Sequence, residues 1–264
     1  MNRMSITIFI VFIIFIILSS CVFVSNPKEI QGSGILTKQE KSFTDFNSLN
    51  ICSDFNVIVE KGTEYQVVIE ADDNLWEYLE IELYEDTLIL NWDRDFQFKE
   101  NTFNAFIKMP DIKKIETRND SIVKLDEEFI LSDNSIELNL YNSSMIEGAI
   151  QAKKIDILMK NSSYLKLEGK SKELNLDLSI KAEADLLKFK SEKSKINAKN
   201  SSRVYLLSPN ELDLFMKNSS YLKLEGKGEE LNMNLLNSVT VDISDYNGDK
   251  VNIDKKHSSR VIER

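Results

Sequence analysis

Five asparagines, Asn119, Asn142, Asn161, Asn200 and Asn218, each stand two residues before a serine, the spacing that presents an asparagine amide to a glycan-transferring enzyme. Elsewhere "DISDYNGD" gathers Asp242, Asp245, Asn247 and Asp249, oxygen donors of the kind calcium takes. A calcium loop of the EF type needs its glycine at the sixth position and a distal glutamate, and neither falls in place, so "NG" reads more simply as a turn. His257 is the single histidine and is followed by Ser258 and Ser259. Side chains adjacent in sequence do not build a Ser-His-acid relay, which needs an acid and a serine converging on the ring from separate segments. Cys52 lies in the alternating run "LNICSDFNVIV", where a buried, inert thiol is the natural reading. These residues give no catalytic site, metal site or cofactor site.

Cys21 is different. It follows "MNRMSITIFIVFIIFIILSS", which has a basic start at Arg3, an apolar run from Ile6 to Leu18, and small residues before the cysteine. That is the pattern of an export signal. At about 1.5 Å per residue the run reaches roughly 20 Å, short of a hydrocarbon core of about 30 Å, so it is a poor membrane span. "LSSC" resembles a lipoprotein cleavage box. The reading is a signal over residues 1–20, acylation of the Cys21 thiol as the mature N-terminus, and a short tether over residues 21–31. The chain then meets the membrane through lipid, in the cell envelope, probing either the periplasm or the exterior from the outer membrane. Lipidation of Cys21 would leave Cys52 as the one free thiol, with no partner for an internal disulfide.

The charge balance excludes one class of partner. Lys and Arg number 33 against 43 Asp and Glu, a net charge of −10, and removal of the signal takes away Arg3 and no acid. Phosphate backbones need a basic face, so no nucleic acid is expected as a partner.

What must position all of these residues is a repeat. The decamer "NSSYLKLEGK" occurs at Asn161–Lys170 and again at Asn218–Lys227. Taking the asparagine as anchor gives Asn119, Asn142, Asn161, Ile180, Asn200, Asn218, Asn237 and His257, spaced by 23 and then by 19, 19, 20, 18, 19 and 20 residues. Four residues before each anchor stand Ile115, Leu138, Ile157, Leu176, Ile196, Leu214, Met233 and Ile253. Four residues after stand Val123, Ile146, Leu165, Ala184, Val204, Leu222, Val241 and Val261. Both columns are wholly apolar, and they persist at Ile180, where the NSS letters are lost. Within each period apolar residues alternate, as in "YLKLEG", which is the two-residue period of strands and excludes a helical solenoid.

A single coil of short strands cannot bury its inward side chains. Stacking coils at about 4.8 Å completes both core and backbone hydrogen bonds. Residues 113–264 are therefore expected to form an all-β, parallel β-helix or β-solenoid of seven or eight coils of about 19 residues, with turns at the NSS slot, at Gly169 and Gly226, and at "YNGDK". The recurring NSS is then a bend rather than a glycan acceptor. Asparagine tolerates left-handed backbone, small serines fit a tight corner, and equivalent asparagines in neighbouring coils can ladder. Residues 32–112 are strand-rich but less regular, with a helical turn expected in "DNLWEYLEIEL" capped by Asp72 or Asp73. One continuous domain over residues 32–264 is expected.

The order "GSG" at Gly32–Gly34, "FNSLNICSDFNVIVEKGTEYQVVIEADDNLWEYLEIELYEDTLIL" and "IKMPDIKKIETRNDSIVKL" resembles the head GIN domain, a family of adhesin-like domains of Bacteroidetes envelopes. The resemblance spans residues 32–264. It implies a right-handed parallel β-helix and a lipoprotein, and it carries no catalytic residue and no ligand. In that setting "DTL" at Asp86–Leu88 and "DSI" at Asp120–Ile122 resemble an O-glycosylation acceptor that would place sugar on Thr87 or Ser121, though both are also ordinary turn sequences.

Two functional classes follow. The first is a non-catalytic surface-binding or structural β-helix whose partner is a glycan or a protein. The second is a β-helix enzyme cleaving acidic polysaccharide, which needs carboxylates and a basic group converging on one outer face. Lysine and glutamate alternate along the outward positions, as on a solvated face, which favours the first. Within that class, positions three and five after the anchor should point outward and form a stripe containing Met145, Tyr164, Lys166, Arg203, Tyr205, Tyr221, Lys223 and Arg260. Tyrosine suits stacking on sugar rings and arginine suits acidic groups.

Overall fold

A computed structural model describes residues 28–264, apart from the side chains of residues 132 and 133. The expected signal, Cys21 and most of the tether lie outside the described residues.

The expected corner and the expected columns are both present. At each slot the anchor and the next residue have φ near +60°, as in Asn142 (53°) and Ser143 (61°) or Asn218 (57°) and Ser219 (61°). Two consecutive left-handed residues reverse the chain tightly, which is why short polar residues recur there. The second serine of each NSS turns inward: Ser144, Ser163 and Ser202 are fully buried. The Ser202 hydroxyl donates to the Lys199 carbonyl at 2.8 Å and that of Ser220 to the Lys217 carbonyl at 2.9 Å, which ties these two corners shut, whereas the Ser163 hydroxyl is buried without a partner.

From one corner the chain runs as an almost unbroken strand to the next. Tyr164–Ser179 pairs in parallel, residue for residue, with Met145–Lys160 on one side and with Glu183–Leu186 and Phe189–Lys199 on the other. The stack continues through Glu211–Lys217, Tyr221–Leu236 and Thr240–Lys256, giving a parallel β-solenoid of about seven turns with no α-helix among the described residues. Gly169 and Gly226 bend the strand at φ 109° and 99° without breaking the ladder. At Gly169 a Cβ would lie 2.2 Å from the Ile150 carbonyl oxygen, so only glycine fits. "YNGDK", expected as a turn, lies within the strand Thr240–Lys256, with Gly248 paired to Gly228, because the neighbouring coil supplies its hydrogen bonds.

The two apolar columns face the core. Ile115, Leu138, Leu176 and Ile196 are at most 1% exposed, and Val123, Ile146, Leu165, Ala184, Val204, Leu222 and Val241 are fully buried.

The stack begins earlier than the repeat in the sequence suggests. Ser48–Ile51 and Asn56–Lys61 pair in parallel with Lys114–Arg118 and Ile122–Leu125, placing Leu49 under Ile115 and Val57 under Val123. Ser53 and Asp54, at φ 64° and 57°, make the same corner that Asn119 and Asp120 make above them. Residues 62–112 are an insertion folded beneath this coil. Thr87–Trp92 and Phe103–Met109 pair parallel to it, and antiparallel partners Gln66–Asp72, Leu36–Lys41 and Leu79–Tyr84 extend the cap. Aromatic rings fill this cap, with Trp92 and Phe103 packed against Phe98 at 5.1 and 5.6 Å. A covered edge cannot template another chain.

The expected helical turn is a single 3-10 turn at Trp76–Tyr78 without a side-chain cap. Asp72 instead accepts from the Gly34 amide at 2.6 Å and the Thr102 amide at 2.8 Å, pinning two loops of the cap. Lys28–Gln31, expected as part of the tether, forms a strand parallel to Phe96–Lys99.

At the opposite end of the stack Val251 and Ile253 continue the inward columns yet are each 39% exposed. Lys255 stands in the inward column directly above Leu235. A charge aimed inward on an open edge strand opposes edge-to-edge association.

Candidate binding faces

Ladder pairing turns every residue type at a given repeat position into a line along the solenoid, so each outward column is a surface of one chemistry. Asn142, Asn161, Asn218 and Asn237 donate their side-chain amides to the asparagine of the preceding coil at 2.8–3.0 Å, forming two ladders separated at Ile180. Amides so engaged, at the tightest point of each coil, act as structure.

The stripe expected at positions three and five is outward, and Tyr205 and Tyr221 lie 6.1 Å apart. It is not a free line of aromatics and cations. Glu183 and Asp185 stand between Tyr164 and the pair Arg203 and Tyr205, and Asp242 follows Lys223. The guanidinium of Arg203 lies 3.7 Å from Glu183, and the Lys223 ammonium lies 2.6 Å from Glu225 and 3.5 Å from Asp245. Burial raises the phenol pKa of Tyr164, helped by Asp185, and burial together with Asp242 does the same for Tyr221. Arg203 and Lys223 are thus paired with acids of the same face, and the Arg260 guanidinium donates to the Thr240 hydroxyl at 3.0 Å.

A second outward face was not anticipated. It comprises the positions three and five before each anchor, on the stretch leading into the corner. Asp213, Phe215, Asn232, Asn234, Asn252, Lys195 and Asn197 line a shallow concavity of about 650 Å³ there, and two smaller depressions continue the face toward Asn175 and Asp156. Phe215 is half-buried and sits in register between Asn197 and Asn234. The neighbouring column is held by side-chain bonds: Asn175 to Asp156 at 2.8 Å, Asn232 to Asp213 at 3.0 Å, and Asn252 to Asn232 at 2.7 Å. Each amide in that chain keeps an outward donor or acceptor. An aromatic face flanked by fixed amides and carboxylates matches a sugar ring, whose C–H face stacks and whose hydroxyls both donate and accept. The columns were readable in the repeat register as a run of Asn and Asp. A search for tyrosine and arginine passes over them.

The remaining candidates resolve simply. Ser121 is fully buried and its hydroxyl is turned to the Arg118 and Ile51 carbonyls, so it is no sugar acceptor in the folded chain. Thr87 is half-buried beside Asp86 at the edge of an exposed hairpin. Asp242 accepts from the amide and hydroxyl of Ser244 at 3.0 and 2.7 Å, and Asp245 turns to Lys223. Among the described residues no three histidine, cysteine or acidic side chains converge as metal ligands. His257 sits in a left-handed corner at φ 53°. Cys52 is 8% exposed and burial raises its thiol pKa, so it is held protonated.

Comparisons with known proteins agree with this architecture. A crystal structure of a putative adhesin from Parabacteroides merdae superposes with a TM-score of 0.79 at 13% identity, over 90% of this chain and 99% of that one. A putative adhesin from Parabacteroides distasonis gives 0.74 at 14%, over 90% and 98%. A protein from the same species described as a putative lipid binding protein gives 0.67 at 15%, over 90% and 100%. No curated protein sequence matches the chain. The family model described as "Putative auto-transporter adhesin, head GIN domain" matches residues 45–213, and the chain belongs to that family.

Proposed function

We propose that this chain is a non-catalytic, lipid-anchored protein of the bacterial envelope that binds a glycan on the amide-rich face around Phe215. One observation carries the reading: the concavity is built from side chains that a sugar ring needs, an aromatic plane with an amide in register on each side and a hydrogen-bonded column of Asn and Asp beside it, laid along a rigid ladder. Rigid strands lower the ordering cost of binding. Adhesin-like relatives and the signal pattern before Cys21 support an envelope location. The anchor itself is tested by mass spectrometry of the mature N-terminus, where acylation of Cys21 is expected and an unmodified cysteine or another start refutes it. A single acyl chain holds weakly and two or three hold stably.

The binding reading is tested on a glycan array with the wild type and with Phe215→Ala. Retained folding and lost array signal are expected. An unchanged array profile in Phe215→Ala, or release of reducing ends from any bound polymer, refutes it.

A further inference from the structure

Beside the amide-rich face runs the corner ridge itself, the anchor with its two neighbours in each coil. From Tyr141 to Ser238 these corner positions contain no acid, and they carry Lys160, Lys181, Lys199 and Lys217. Among the described residues none of these four ammonium groups has a carboxylate within 4.0 Å. Elsewhere on the solenoid facing charges are of both kinds: Lys193 meets Glu211 at 2.8 Å and Lys250 meets Glu230 at 2.6 Å, while Lys170 stands opposite Lys190 and Glu211 opposite Glu230. At the corner Lys199 and Lys217 are likewise paired in register on adjacent strands, both are half-buried, and no acid stands at any neighbouring corner position to offset them. Like charges placed directly opposite are destabilising, so this line carries a folding cost that a ligand of opposite charge would relieve.

We propose that the ridge binds the acidic groups of a linear anionic polysaccharide whose sugar rings lie on the adjoining face. This rests on the reading that the face around Phe215 binds a glycan, and adds its charge class. Before the anchor Lys160, Ser179, Lys199 and Lys217 follow one another in register at about 4.8 Å per coil, and Lys181 stands just after the anchor in the coil of Ser179, so a cation flanks the corner in each of four successive coils and a uronate polymer can lie parallel to the solenoid axis. Lysine ammonium groups suit this role because they present a point charge on a flexible stem and need no fixed acid geometry. The protein's net charge of −10 disfavours acidic polymer on most of its surface, which favours a local contact.

The test uses the full-length protein in detergent and three immobilised probes: polygalacturonate, the same polymer with its carboxyl groups reduced, and phosphatidylglycerol vesicles. Binding to polygalacturonate is expected to exceed that to the reduced polymer about tenfold, and to weaken as salt rises from about 0.05 to about 0.5 M. Changing Lys160, Lys181, Lys199 and Lys217 together to Gln should erase the difference and leave binding to the reduced polymer intact, with the unfolding transition no lower than in the wild type because the Lys199–Lys217 repulsion is removed. An equal change of charge at Lys124, Lys170, Lys190 and Lys227 should leave it in place. Equal wild-type affinity for both polymers overturns the proposal while the glycan reading stands. Binding to neither polymer overturns both. Ridge-dependent binding to vesicles alone assigns the ridge to lipid headgroups and overturns it.

Discussion

Ile180 occupies the corner slot that asparagine fills in most coils, and it does so at φ 57°. A β-branched residue in left-handed backbone costs roughly 1–2 kcal/mol, more than asparagine, whose short amide tolerates that region. Its side chain is 49% exposed, so it returns only about 1 kcal/mol of apolar burial. It also separates the two asparagine ladders, one ending at Asn161 and the other beginning at Asn200. Ile180→Asn should relieve about 1 kcal/mol of backbone cost and join the ladders through two amide bonds, each contributing about 0.5 kcal/mol at such an exposed site. Against the lost burial the net gain is about 1 kcal/mol, or a rise in Tm of about 2–4 °C for a body of this size. Ile180→Ala serves as the control, since it removes the apolar contact and keeps the left-handed cost, and it should destabilise by about 1 kcal/mol. Urea denaturation followed by circular dichroism reads both. A fall in stability with Asn, or equal effects of Asn and Ala, would refute the account of NSS as a corner selected for backbone and ladder.

Other outcomes follow from the same geometry. Leu165→Ala or Leu222→Ala should cost about 2–5 kcal/mol in denaturation, whereas Lys166→Ala should change stability by less than about 0.5 kcal/mol; the reverse order would mean the faces are inverted. Burial and the adjacent Asp120 raise the pKa of Asp54. A raised acid is destabilising where it is ionised, so its penalty is absent below the ordinary aspartate pKa and grows as pH rises through the raised value. Asp54→Asn should therefore raise Tm at neutral pH and lose that advantage at about pH 3, and a gain equal at both pH values would count against the charge argument. Lys255→Leu should convert the open end of the stack into an associating surface, seen as a shift to dimer or larger species in sedimentation; a monomer at every concentration would assign no protective role to the inward lysine. Cys52 should react with iodoacetamide only on unfolding, and fast labelling of the native protein would contradict its burial.

The periodic part of the fold was readable because an in-register parallel stack imposes one burial rule on every coil. Ile115 through Met233 and Val123 through Val241 are the same two positions repeated, and substitution of the NSS letters at Ile180 left both intact. The first coil escaped because the insertion of residues 62–112 puts Ser53 far out of period with Asn119, although "CSD" repeats the chemistry of "RND". Neither Asp72 nor Asp73, the two expected caps, caps the turn, and the partners that Asp72 has instead, Gly34 and Thr102, are distant in sequence. The amide-rich face is hard to see in the sequence for a different reason. By residue type alone, tyrosine with arginine stands out more than asparagine with a single phenylalanine. Only the ladder showed which cations were already paired with Glu183, Glu225 and Asp245, and which were not.

The central claim, that ligand lies on the face before the corner and not on the tyrosine stripe beyond it, is tested most directly by hydroxyl-radical footprinting of the protein bound to the polymer it holds best on a glycan array. Protection of Phe215 and of Leu158, which stands three residues before Asn161 on the same face, with Tyr164, Tyr205 and Tyr221 as reactive as in the free protein, is the result this account predicts. Protection of the three tyrosines with Phe215 unchanged would contradict it.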